Sequence, residues 1–127
     1  MKKNIVFILF CVLTLSLSAC SNSAKDSTEN NASPKALYQQ DKSIDFLVYN
    51  ETAFVNASNL DWVTELELKS NEKLGEIKRT DVKKKFKDFD ATILEVGTEF
   101  YSVSGRDDFV MVFIDNVMVP YYAYVEG

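Results

Sequence analysis

Cysteine occurs twice in this chain and histidine not at all, so the residues able to do covalent chemistry are few. Cys20 is the better placed thiol. It follows Leu17, Ser18 and Ala19 and closes an N-terminal segment of two lysines and a long apolar run, within which lies the other cysteine, Cys11. A thiol is a nucleophile and can accept a covalently attached group. Small residues such as Ser18 and Ala19 let a peptidase fit the extended backbone at a cut between Ala19 and Cys20. Without histidine the chain lacks the commonest general base at neutral pH and the commonest metal ligand. Ser-His-Asp and Cys-His arrangements are impossible, and zinc sites built from cysteine and histidine are excluded.

Three weaker constellations remain. Asp107, Asp108 and Asp115 are oxygen donors of the kind divalent cations take, but their order is not that of an EF-hand loop. Solvated loop acids beside Arg106 are the simpler account, and no metal site is assigned. Lys83, Lys84, Lys85 and Lys87 are a basic cluster that could face anionic headgroups or wall polymers. Asp81, Asp88 and Asp90 flank it and weaken it, so a solvated face is the simpler account. Tyr121, Tyr122 and Tyr124 crowd the C-terminal end. Neighbours on a strand point to opposite faces, so Tyr121 and Tyr122 are both buried only if both sheet faces are covered. An exposed tyrosine face would make these three a binding surface, because tyrosine is enriched at interfaces. An aromatic ladder covering an edge is the alternative. There is no glycine-rich phosphate loop, and no cofactor is implied.

Leu17-Ser18-Ala19-Cys20 resembles the lipobox of bacterial lipoproteins. Lys2 and Lys3 form a positive n-region, and the apolar run to Leu17 is shorter than the roughly 20 residues a spanning helix needs. The resemblance implies diacylglyceryl transfer to the Cys20 thiol and cleavage before it. Residues 1–19 are then a signal peptide, and the mature chain is held at the extracytoplasmic face of the cell membrane. Two acyl chains suffice for stable anchoring, at about 0.8 kcal/mol per buried methylene.

Removing 19 residues from 127 leaves 108, enough for one modest core. The lost segment takes two lysines and no acid, leaving 12 basic against 19 acidic side chains, a net charge of −7. Such a chain is repelled by nucleic acid and by anionic lipid as a whole, so neither is an expected partner of its net charge. With Cys11 cleaved away and Cys20 lipidated, the folded part has no thiol and no disulfide.

Residues 20–42 are rich in Ser, Asn, Lys and Asp and read as a flexible, disordered tether; twenty such residues reach on the order of 25 Å. Residues 43–127 form the domain. Residues 44–49 are a strand, and residues 52–55 continue it or begin another. Residues 56–61 are turn-like. Residues 60–68 fit a helical face through Trp62, Val63 and Leu66, or a strand through Leu66 and Leu68, the strand being favoured for the second half. Residues 73–79 are a short strand in which Gly75 marks a bulge or a close approach. Residues 82–90 are a turn of helix or an irregular crossing. Residues 91–103 read as strand, glycine turn and strand, and residues 105–108 as a loop. Residues 109–114 are apolar on both faces and predict a central strand. Asp115-Asn116 is a hairpin turn, and Pro120 places a bulge or an edge in the return strand.

These elements predict a mainly β fold, a small antiparallel sheet or SH3-like barrel. Residues 96–105 resemble the V-G-T-x-x-Y-x-V-x-G strand and bend of small SH3-like domains in Gram-positive extracytoplasmic proteins. The size, the lipobox and the β-rich C-terminal half are similar to the small lipoproteins of Gram-positive mobile elements, such as the exclusion lipoprotein of a Bacillus integrative and conjugative element. That resemblance implies a binding or interaction module acting in immunity or conjugative exclusion on a membrane or surface protein. A wall-associated enzyme using carboxylates alone, or a small solute-capture lipoprotein with a barrel-mouth cavity, are the other classes.

Overall fold

The computed structural model describes residues 33–125. Cys20, Ala19 and the signal segment lie outside them. The fold is mainly β: six antiparallel strands form one sheet curled into a half-barrel. They are β1 (Phe46–Tyr49), β2 (Thr52–Asn56), β3 (Ser70–Glu76), β4 (Glu99–Val103), β5 (Arg106–Ile114) and β6 (Val117–Ala123), in the spatial order β1-β2-β6-β5-β4-β3. Two short helices, α1 (Pro34–Gln40) and α2 (Asp61–Thr64), accompany them.

Turn chemistry sets the register. Asn50-Glu51 and Asp115-Asn116 are two-residue turns with positive φ at both positions, 54° and 62° in the first, 50° and 66° in the second. That backbone twist matches the twist of the flanking strands, and asparagine and aspartate tolerate it. Gly105, at φ 77°, makes the β4–β5 turn, so β5 begins at Arg106 and residues 106–108, read above as loop, are strand. Its central position is as predicted. Pro120, by contrast, causes no bulge against β5, where it stands in continuous register opposite Met111. Nor is β6 an edge strand. Pro120 sits where β2 runs out, and its carbonyl accepts from the Ala57 N–H there. No ladder donor is needed at that point.

Alternation sorts the side chains. Leu47, Phe54, Phe100, Val110, Val112 and Tyr121 point inward and fill the half-barrel, joined by Ile77, Ala91 and Leu94. Phe46, Val48 and Ala53 point outward and are covered by Leu37 of α1. Phe109, Met111 and Val103 point outward and are covered by Ala57 and Val63. Each large apolar side chain so buried contributes roughly 1.5–3 kcal/mol.

Among the described residues packing already includes Ser33, ten residues before the boundary expected from composition. Ser33 caps α1 by accepting from the Ala36 N–H, Pro34 presets its first turn, and Leu37 is buried. The strand expected at residues 66–68 is absent. One helical turn instead buries Val63, and β3 begins at Ser70. The first arm expected at residues 91–96 is also not a strand. Only Ala91 makes an isolated bridge, to Leu47.

That last segment closes the sheet. Residues 79–92 cross irregularly from the end of β3 to the open edge of β1. The Phe89 N–H donates to Val48, and Val48 and Thr92 N–H groups donate to Asp90 and Phe46. On the other side, Lys78 donates to Phe89 and Ala91 to Arg79. The strap thus satisfies backbone groups on the open edge of β1 and pairs with the chain just beyond β3. Gly75 lies beneath it: a Cβ there would stand 2.6 Å from the Phe89 ring. Register shifts on both sides of Lys73 show the bulge as well.

Candidate functional site

The tyrosine run divides by face. Tyr121 is fully buried inside the half-barrel and is no part of a binding surface. Its hydroxyl donates to Asp45 Oδ2 at 2.8 Å. Burial, and then the Asp45 carboxylate, push its pKa far above the ordinary tyrosine value. Both sheet faces are covered, the condition under which adjacent tyrosines can both be sheltered. The cover over the outer face is incomplete, however, and Tyr122 and Tyr124 stay partly exposed.

The gap lies between α1 and the segment that carries α2. It is an apolar groove of about 250 Å³ lined by Leu37, Ile44, Val55, Leu60, Tyr122 and Tyr124, with Asn56 and Ala57 at its floor. Two features place these side chains. Alternation along β6 turns Tyr122 and Tyr124 outward. The Asn56 side chain accepts from the Ser58 N–H and hydroxyl, which bends the chain after β2 toward α2. Leu60 and Trp62 are then left 40% and 47% exposed, large values for such side chains. Trp62 stands edge-on to Tyr122 at 5.2 Å, and Phe109 backs Tyr122 at 4.9 Å. The groove is thus rigidly backed and aromatic, a surface suited to an apolar anchor from another molecule.

The half-barrel itself offers less. Its interior is filled by Tyr121, Phe100, Leu47 and Val112, all essentially without solvent contact. Among the described residues, two depressions lie at its ends. One, of about 460 Å³, lies among Tyr49, Phe54, Leu74, Arg106, Asp108 and Val125. There Arg106 grips Asp108 through two hydrogen bonds, at 3.0 and 2.9 Å, and holds its carboxyl below the usual range. The other, of about 380 Å³, contains Asp45, Glu95 and Asp115 beside Ile93 and Phe113. Asp107 and Asp108 are at one end of β5 and Asp115 is at the other, so the three acids do not converge. Among the described residues no group of acids is arranged to hold a metal ion.

No family model matches this chain, and no curated protein or solved structure is significantly similar to it. Among the described residues no helix is long and apolar enough to cross a membrane. The site therefore rests on its own geometry. Sequence reasoning reached Tyr122 and Tyr124 but missed Leu37, Ile44, Leu60 and Trp62. Ser33-Pro34 ahead of Leu37 was a legible helix start. Nothing local marked Leu60 and Trp62 as exposed.

Proposed function

We propose that the chain is a lipoprotein anchored through Cys20 whose domain binds a membrane or surface protein through the groove between α1 and α2. The observation that carries the binding reading is the partly exposed apolar wall of Leu60, Tyr122 and Tyr124, with the exposed Trp62 packed edge-on against Tyr122. Single exposed apolar residues are ordinary, but a contiguous apolar groove beside them is typical of interaction sites. The anchoring half of the proposal is supported by the lipobox resemblance at Cys20. The process proposed is exclusion of incoming conjugative DNA, on the resemblance to mobile-element lipoproteins.

The test uses recipient cells carrying the wild-type chain, Cys20→Ala, Leu60→Glu or no copy. Wild-type recipients should accept less element DNA from donors than deleted ones. Cys20→Ala should leave the precursor uncut and abolish the effect. Leu60→Glu should abolish it while the processed protein still reaches the membrane. Equal transfer into wild-type and deleted recipients rules out exclusion, and full exclusion by Leu60→Glu rules out the groove.

A further inference from the structure

Four lysines meet where the described chain begins. Lys35, in the first turn of α1, lines one depression with Lys84 and Lys85, and Lys87 lines the adjoining one with Pro34, Glu51 and Asp88. Phe86 pins this part of the strap to the domain, with its ring 5.9 Å from Tyr38 and 5.3 Å from Phe46. The patch is thus built on a fixed surface, although its side chains reach solvent.

The acids that flank these lysines in sequence are turned to other work. Asp88 accepts the N–H groups of Asn50 and Glu51 at 2.8 and 2.9 Å, holding the β1–β2 turn. Asp90 is buried and takes Arg79 at 2.7 and 2.6 Å. Asp81 stands near Lys83 at 3.7 Å. Among the described residues no ion pair uses Lys35, Lys84, Lys85 or Lys87. In a chain of net charge −5, this is a concentrated positive face.

Its position matters because Pro34, which lines both depressions, is only fourteen positions from Cys20. The twelve residues 21–32 span at most roughly 40 Å even fully extended. If Cys20 carries the lipid, this face is kept within that distance of the headgroups. We propose that the patch of Lys35, Lys84, Lys85 and Lys87 docks on anionic phospholipid headgroups and so orients the domain on its membrane. Attraction of clustered lysines to an anionic leaflet acts within a Debye length, about 8 Å at physiological salt. The rest of the domain is acidic and is repelled by the same surface, which makes the orientation selective. The proposal rests on the anchor reading, and its test separates the two.

The lipidated full chain is reconstituted on vesicles of phosphatidylcholine alone or mixed with phosphatidylglycerol. Each lysine's rate of acylation by an amine-reactive ester is read by mass spectrometry, and intact mass reports the lipid on Cys20. Lys35, Lys84, Lys85 and Lys87 should react several-fold more slowly on the anionic vesicles, and high salt should remove the difference. Lys69, beside the β4–β5 turn, is the internal reference and should not change. In K84Q/K85Q the protection of Lys35 and Lys87 should be lost. Equal rates on both vesicles for a lipidated chain overturn the docking patch alone. A chain without lipid on Cys20 overturns the anchor and the patch's orienting role with it.

Discussion

Asp90→Asn should unlock the strap that closes the half-barrel. The Asp90 side chain is 1% exposed. Its Oδ1 accepts from Arg79 Nε at 2.7 Å, and its Oδ2 accepts from Arg79 Nη2 at 2.6 Å and from the Lys87 N–H at 2.8 Å. Asparagine keeps the shape but has one acceptor oxygen. Whichever way the amide is turned, its NH₂ faces a donor. A hydrogen bond to a charged group is worth about 1.5–3 kcal/mol, and breaking a fully buried pair costs about 3–5 kcal/mol. Arg79 is 46% exposed and can rehydrate, so the upper end does not apply. The expected loss is about 3 kcal/mol, against a total of roughly 5–14 kcal/mol for a domain of this size. At 4–8 °C per kcal/mol, the melting temperature should fall by more than about 10 °C. Circular dichroism of the mature chain measures this, with urea unfolding as a second measure. Arg79→Gln leaves the carboxylate buried without its partner and should cost at least as much. The double variant should lose less than the sum. A melting temperature for Asp90→Asn within a few degrees of wild type would refute the reasoning.

Two further outcomes follow from the interior. In Gly75→Ala the new methyl meets Phe89, whose ring is held between Tyr49 and Phe100 at 6.0 Å from each, so overpacking should cost about 1–3 kcal/mol; an unchanged or higher melting temperature counts against it. Tyr121 should stay protonated in alkali until the domain unfolds, because its folded pKa lies above the ordinary value of 10.0. Stability it contributes is then complete below about pH 10 and lost as pH rises beyond it, since the unfolded tyrosine ionises first. Ultraviolet phenolate titration checks this: Tyr121→Phe should show as many phenolates as wild type before unfolding, and one fewer would sink the idea.

What could be read from residues alone was what local chemistry decides. Asp115-Asn116 declared its hairpin, the apolar run of residues 109–114 declared a central strand, and Gly75 declared both its bulge and its close neighbour. The failures share a cause. Leu66 and Leu68 alternate like a strand, yet both pack on the same outer-face cluster from an irregular segment. Residues 91–96 are rich in β-formers, but only Ala91 and Thr92 pair through the backbone with β1 or with the strap itself, where the crossing closes the sheet. Tyr121 and Tyr122 could not be assigned to faces without knowing that cover exists on both. Composition placed residues 33–42 in the tether because it weighs the many polar side chains above one cap and one buried leucine. Trp62 owes its exposure to the spacing between α1 and α2, a tertiary quantity with no sequence signal.

The strap ties these observations to one another. The same crossing, residues 79–92, supplies Asp90 and Phe89 to the interior, Asp88 to the β1–β2 turn and Lys84, Lys85 and Lys87 to the surface beside α1. Three acids in this segment offset three of its five basic side chains on paper, which makes the basic cluster look weaker in sequence. Folding separates them, because a buried carboxylate must be paired and Arg79 and backbone N–H groups pair it. Asp90 goes inward and Asp88 holds a turn, Asp81 stays exposed beside Lys83, and the lysines are left facing out. Closure of the sheet is therefore what creates the positive face. A variant that loosens closure should weaken membrane docking without touching a lysine, so Asp90→Asn on anionic vesicles should narrow the difference in lysine reactivity at temperatures where the sheet itself is still folded.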